Sequence, residues 1–151
     1  MNEFVRLESF AADLIAGLEP DARKALAQDM ARQLRASQQK RIAAQQNPDG
    51  SGYAPRKPQL RHKKGKIKRQ MFAKLRTAKY LKATGNADAA IVTFISAVQR
   101  MALVHQKGLR DKVNRKTGLE ADYPARALLG LSAADETLIR DLVTAHLAAR
   151  L

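Results

Sequence analysis

The sequence predicts an α+β fold. Apolar residues recur at three- and four-residue steps near both ends of the chain, the period of amphipathic helices. Between them lies one β-branched and aromatic run, Ala90-Ile91-Val92-Thr93-Phe94-Ile95, which reads as a strand. Turn clusters at 47–52 and 85–88 punctuate the chain around these segments. With 151 residues, 45% of them apolar, the chain suits a single domain over 1–151 with a core of its own.

Phe4, Leu7, Phe10, Ala11, Leu14 and Leu18 define a first helix. It breaks at Gly17–Asp21, where Pro20 suits the first position of a second helix and Asp21 its positive end. That second helix runs from about Pro20 to Gln45, with Ala22, Leu26, Met30, Leu34 and Ile42 against Arg23, Lys24, Arg32, Arg35, Lys40 and Arg41. Its apolar stripe thins after Leu34, so its last turns are expected to pack less well or to touch a partner. Asn47-Pro48-Asp49-Gly50-Ser51-Gly52 stops it. Two prolines and scarce apolar residues make Tyr53 to Lys68 an extended basic loop, about 50–69 in all.

Order resumes at Gln70, where Met71, Phe72, Leu75, Tyr80 and Leu81 fit a short helix or a strand equally well. Tyr80 to Ala83 and Ala90 to Ile95 are placed to form an antiparallel hairpin around Gly85–Asp88. Ser96 is expected to cap a middle helix carrying Val98, Met101, Ala102 and Val104, closed by Gly108 after Gln106. A second basic loop follows at about 109–122, then a third strand at Tyr123 to Leu129. The last helix starts at Ala133 behind a Ser132–Asp135 capping box, with Leu138, Ile139, Leu142, Val143 and Leu147 as its buried stripe. Leu26, Leu34, Val92, Phe94, Val98, Leu138, Leu142 and Val143 are the expected core.

The charge is concentrated. Twelve basic residues fall between Gly50 and Ala87, with no Asp or Glu among them: Arg56, Lys57, Arg61, Lys63, Lys64, Lys66, Lys68, Arg69, Lys74, Arg76, Lys79 and Lys82. The chain has 28 Lys and Arg against 14 Asp and Glu; without the twelve, 16 face 14, a net of +2. A nearly neutral protein thus carries one cationic insert, whose self-repulsion calls for a negative surface: nucleic acid, an acidic protein or an anionic membrane. A membrane reading lacks its amphipathic helix, since Leu60 and Ile67 are the only large aliphatic residues from Tyr53 to Lys68. Base stacking is disfavoured by 5% aromatics and no Trp.

Groups for catalysis are missing. Without Cys there is no disulfide, thiolate zinc site or cysteine nucleophile. His62, His105 and His146 have no second ligand at metal spacing, and His105 near a helix end reads as a packing or capping residue. Gly50-Ser51-Gly52 lacks the continuation of a phosphate loop, and no serine stands in a nucleophile elbow. No enzyme activity, cofactor or metal is expected. The opening residues lack the basic and apolar regions of a signal peptide, and no apolar stretch approaches the roughly 20 residues of a membrane helix. A soluble protein made in the cytoplasm is expected.

Three blocks carry a resemblance. One is Ser37-Gln38-Gln39-Lys40-Arg41-Ile42-Ala43-Ala44-Gln45-Gln46-Asn47-Pro48-Asp49-Gly50-Ser51 with Tyr53-Ala54-Pro55-Arg56-Lys57. The second is Met71-Phe72-Ala73-Lys74-Leu75-Arg76 with Lys79-Tyr80-Leu81-Lys82. The third is Val104-His105-Gln106-Lys107-Gly108-Leu109 with Tyr123-Pro124-Ala125-Arg126-Ala127-Leu128-Leu129-Gly130. In order and spacing they resemble the phage virion morphogenesis family, the tail-completion proteins of contractile-tailed phages and prophages, over about residues 5–148. One departure is Ala127, where the family usually has proline.

The resemblance implies a structural, non-enzymatic subunit for tail completion and head–tail joining. It implies a homo-oligomeric ring, a hexamer, contacting tail tube or sheath and neck or connector proteins. The protein would be located at the tail end of the virion after assembly in the host cytoplasm. Partner contacts are then expected at Arg41, Gln45, Pro48, Asp49, Tyr53, Arg56, His105, Tyr123 and Arg126, in loops and helix ends. Lys57, Arg61, Lys63, Lys64, Lys66, Lys68 and Arg69 would face an acidic partner or phage DNA. The competing reading is a nucleic-acid-binding protein that sets the 56–82 segment on phosphates.

Overall fold

The computed structural model of the chain describes residues 3–57 and 69–149. Four helices and two short hairpins follow in the order α1 (Glu3–Ala16), α2 (Pro20–Ala43), β1 (Leu81–Gly85), β2 (Ala90–Phe94), α3 (Ser96–Lys107), β3 (Arg110–Lys112), β4 (Glu120–Asp122) and α4 (Ala133–Ala148). The α+β class holds, but its strands form two separate two-stranded antiparallel sheets.

The long helix α2 is the spine. Pro20 opens it and Asp21 lies in its first turn, as the sequence predicts. Its small residues Ala22, Ala27 and Ala31 are buried beside Leu26, which lets the β1–β2 hairpin approach closely. The hairpin pairs Leu81 with Phe94 and Gly85 with Ala90, so Leu81 and Phe94 share the buried face while Ile91 turns to solvent. α4 lies along α2 in the opposite direction: Asp135 meets Ser37 and Gln38, and His146 meets Asp29 at 3.1 Å.

The core joins Ile42, Tyr53, Leu75, Leu81, Phe94, Ala102 and Leu128, flanked by Met71, Phe72, Tyr80, Val92, Val98 and Leu129. It therefore gathers all three sequence blocks. Leu26 and Phe94 are buried as expected, whereas Leu34, Val92, Val98, Leu138, Leu142 and Val143 are half-buried. The α4 stripe leans on one neighbour, α2, and keeps part of its surface in water.

Other expectations are corrected. The end of α2 does not pack loosely: Gln38, Arg41 and Ile42 are buried, because polar side chains there turn inward onto backbone groups. Residues 70–80 form consecutive turns, neither helix nor strand, with Phe72 at φ 65°. Ile95, not Ser96, is the N-cap of α3; Ser96 is its first helical residue and makes no cap bond. Gly108 ends α3 in the left-handed conformation, φ 65°, as its position predicts. The 109–122 loop contains the β3–β4 hairpin, held by Arg110–Glu120. Tyr123 to Leu129 forms no strand, since its backbone bonds go largely to side chains.

The Ser132–Asp135 capping box of α4 is present in both directions, 3.1 Å and 3.0 Å. Asp135, in the place of the usual longer acid, also accepts from Gln38 of α2.

Candidate functional site

The first and third sequence blocks meet around two buried arginines. Arg41, near the C-terminal end of α2, projects its guanidinium under the 126–130 segment. Nη1 donates to the carbonyls of Gln46 (3.0 Å) and Ala127 (2.8 Å), and Nη2 to that of Leu128 (2.8 Å) and to Gln38 Oε1. Arg126 lies 4% exposed and donates from Nε to the Ala54 carbonyl (2.7 Å) and from Nη2 to that of Pro55 (3.0 Å). The planar fork of each arginine spans carbonyls that no regular element satisfies. Tyr53 is buried as well, its hydroxyl donating to the Ala127 carbonyl at 2.9 Å.

Of the expected contact residues, Arg41, Tyr53 and Arg126 have side chains turned inward and bonded within the chain. They hold the surface segments in register.

Three further polar residues, not among the expected site residues, complete this frame. Gln106 accepts from the Leu128 and Leu129 amides (2.8 and 2.9 Å) and donates to the Leu129 carbonyl (2.8 Å). Asn47 Oδ1 accepts from the Ala127 amide at 2.9 Å, a donor that proline at 127 would withhold. The departure at Ala127 is thus matched by a hydrogen bond. Gln38 bridges Arg41, the Gly130 amide and Asp135. Asn47 also belongs to the turn cluster that stops α2, whereas Gln38 and Gln106 are marked only by their position inside the matching blocks.

Asp135 is 1% exposed and accepts from Ser37, Gln38 and the Ser132 amide. Burial pushes its carboxyl up, but these hydrogen bonds together outweigh burial and hold it below the ordinary 3.8. With the folded value depressed, its contribution is full above the unfolded carboxylate range and fades as pH falls through the folded value. Stability is expected to fall as pH drops below about 4. Asp135→Asn should flatten that acid limb in a denaturation series at successive pH values.

The remaining expected contacts are distributed differently. Gln45, at φ 57°, donates to the carbonyls of Ile42 and Met71 at 2.8 and 2.9 Å, pinning the turn to the core. Pro48 is half-buried, whereas Asp49 is exposed and accepts from the Ser51 amide at 2.9 Å, a turn role. His105 stacks edge-on with Phe72 (4.9 Å) and Tyr123 (5.0 Å), and Phe72 with Tyr53 (5.8 Å). Burial, aided by the Arg126 charge, lowers the His105 pKa, so the ring is neutral at pH 7 and packs as an aromatic.

Arg56 and Lys57 are exposed. Arg56 donates to the Arg69 carbonyl at 2.6 Å, so the two ends of the basic segment start and return side by side; Lys57 reaches the Asp122 carbonyl at 2.9 Å. Arg61, Lys63, Lys64, Lys66 and Lys68 lie outside the described residues. Beside this base an open groove of about 480 Å³ runs between residues 69–75 and α3. Met71, Phe72, Leu75 and Met101 line it, with Arg56, Arg69 and Lys74 among its other walls. Among the described residues no group of three or more His, Asp or Glu is placed to hold a metal ion.

Comparison with known proteins agrees with the blocks that build this frame. Residues 3–148 match the phage virion morphogenesis family. Tail completion protein S of Escherichia phage P2 is 44% identical over 149 residues, 97% of this chain and 99% of that protein. No solved structure matches the chain. The similarity runs through every element of the described fold. By sequence over nearly its whole length, the chain belongs to the phage virion morphogenesis family.

Proposed function

We propose that this chain completes the phage tail as a subunit of a homo-oligomeric ring, a hexamer, at the end where tail and head join. The near full-length identity with a protein named tail completion protein S carries the reading. The partners in this reading are further copies, tail tube or sheath proteins and neck or connector proteins. The site of action is the tail end of the virion, reached after assembly in the host cytoplasm. Among the described residues no helix is long and apolar enough to cross a membrane.

The basic segment from Arg56 to Lys82 acts by long-range attraction, toward an acidic neighbouring subunit or toward DNA passing through the ring. Each copy adds about twelve positive charges to one annulus, which a counter-surface must offset. Such attraction weakens with salt, because the Debye length falls from about 10 Å at 0.1 M to about 3 Å at 1 M.

Particles assembled without the chain should contain heads and tails that fail to join, and purified protein should restore joining in electron micrographs. Reversing Lys63, Lys64, Lys66 and Lys68 to Glu should impair restoration and remove most of its salt dependence. Normal joining by that variant would exclude the electrostatic role. Wild-type protein that binds DNA tightly yet restores no joining would favour the nucleic-acid reading instead.

A further inference from the structure

We propose that α1 of one copy docks into the groove between residues 69–75 and α3 of a second copy, linking subunits head to tail. This contact presupposes the self-assembly proposed above and names the surfaces that make it.

α1 is an amphipathic helix that, among the described residues, has no substantial packing against another element. Phe10 and Leu14, one turn apart, are 62% and 39% exposed, and Val5 is 45% exposed. A 14-residue helix without tertiary support is marginal in water, so an apolar face of this kind gains by burial elsewhere.

Charge selects the second copy as the occupant. Within α1 three acidic residues, Glu3, Glu8 and Asp13, stand against one basic residue, Arg6. Taking these from the chain totals leaves 27 basic against 11 acidic residues, so the rest of the protein is strongly cationic. The α1 region is thus the acidic part of a basic chain. The groove has the complementary chemistry: Met71, Phe72, Leu75 and Met101 between Arg56, Arg69 and Lys74, with no acidic residue in its lining. Methionines adapt to an incoming helix, and anchors at i and i+4 are the pattern by which a helix seats in a groove. Because α1 and the groove are different surfaces, the contact is heterologous and each copy can both give and receive. Repeated, it closes into a ring when the rotation permits.

The natural chain has no cysteine, so introduced ones report cleanly. Phe10→Cys and Met101→Cys copies, purified separately and mixed under mild oxidation, should form a mixed disulfide between chains. The yield should drop between 0.1 and 1 M salt. Self-association of Phe10→Glu/Leu14→Glu protein should weaken roughly a hundredfold with its thermal midpoint unchanged, since both side chains face water in the single chain. Sedimenting rings with no mixed disulfide would overturn the contact while leaving the ring intact. Predominant Phe10→Cys self-pairing would replace it with a symmetric α1–α1 contact. A lowered midpoint for the double variant would place α1 in the single chain's own core. Protein that stays monomeric, with no mixed disulfide in completed particles, would overturn both the contact and the self-assembly.

Discussion

Arg41→Ala lowers the stability of the chain by about 3–5 kcal/mol, read as a fall of roughly 10 °C in the thermal midpoint. Arg41 is 9% exposed, and its guanidinium serves the carbonyls of Gln46, Ala127 and Leu128 together with Gln38. Alanine leaves the Gln46 and Leu128 carbonyls without this donor, while the Ala127 carbonyl keeps Tyr53 and Gln38 keeps the Gly130 amide. The loss also spreads, because Gln38 links Arg41 to Asp135 at the start of α4. Arg41→Lys keeps the charge but cannot span several carbonyls with a planar fork, so it should recover only a minor part. Urea denaturation of the three proteins checks the order wild type, Lys, Ala; a Lys variant as stable as wild type would show that charge alone suffices.

Gly85→Ala should be nearly as damaging, at about 3 kcal/mol. A Cβ there would lie 2.5 Å from Ala27 C and Gln28 N and 2.9 Å from Ala27 O, all backbone atoms of α2. Helix backbone cannot rotate aside as a side chain does, so the hairpin must lift from the spine. Lifting it loosens Leu81 and Phe94, which the hairpin carries into the core. Gly52→Ala, where a Cβ meets nothing within 4 Å, is the control and should be close to neutral. Equal midpoints for the two variants would mean that the hairpin yields without cost.

Both predictions concern residues that local sequence could not grade. Periodicity and turn chemistry located α1, α2, the β1–β2 hairpin, α3 and α4, because each is encoded within one or two turns of its own residues. The Ser132–Asp135 cap and the Gly108 stop were legible for the same reason. The charge map belongs wholly to the sequence, as do the absence of cysteine and the blocks that point to the family.

What tertiary structure decided is which polar residues lie inside. By sequence alone Arg41 and Arg126 look like surface arginines, and Arg41 falls on the polar face of its helix. They are buried because 45–55 and 123–130 lack regular pairing and need side-chain donors for their carbonyls. Such a need arises only when two distant segments meet, 86 residues apart for Arg41 and Ala127. The same holds for residues 70–80, whose apolar content fitted helix or strand while packing on Tyr53 and His105 shaped them as turns. Local order is written in neighbouring residues; the satisfaction of buried backbone groups is settled by whatever the fold brings alongside.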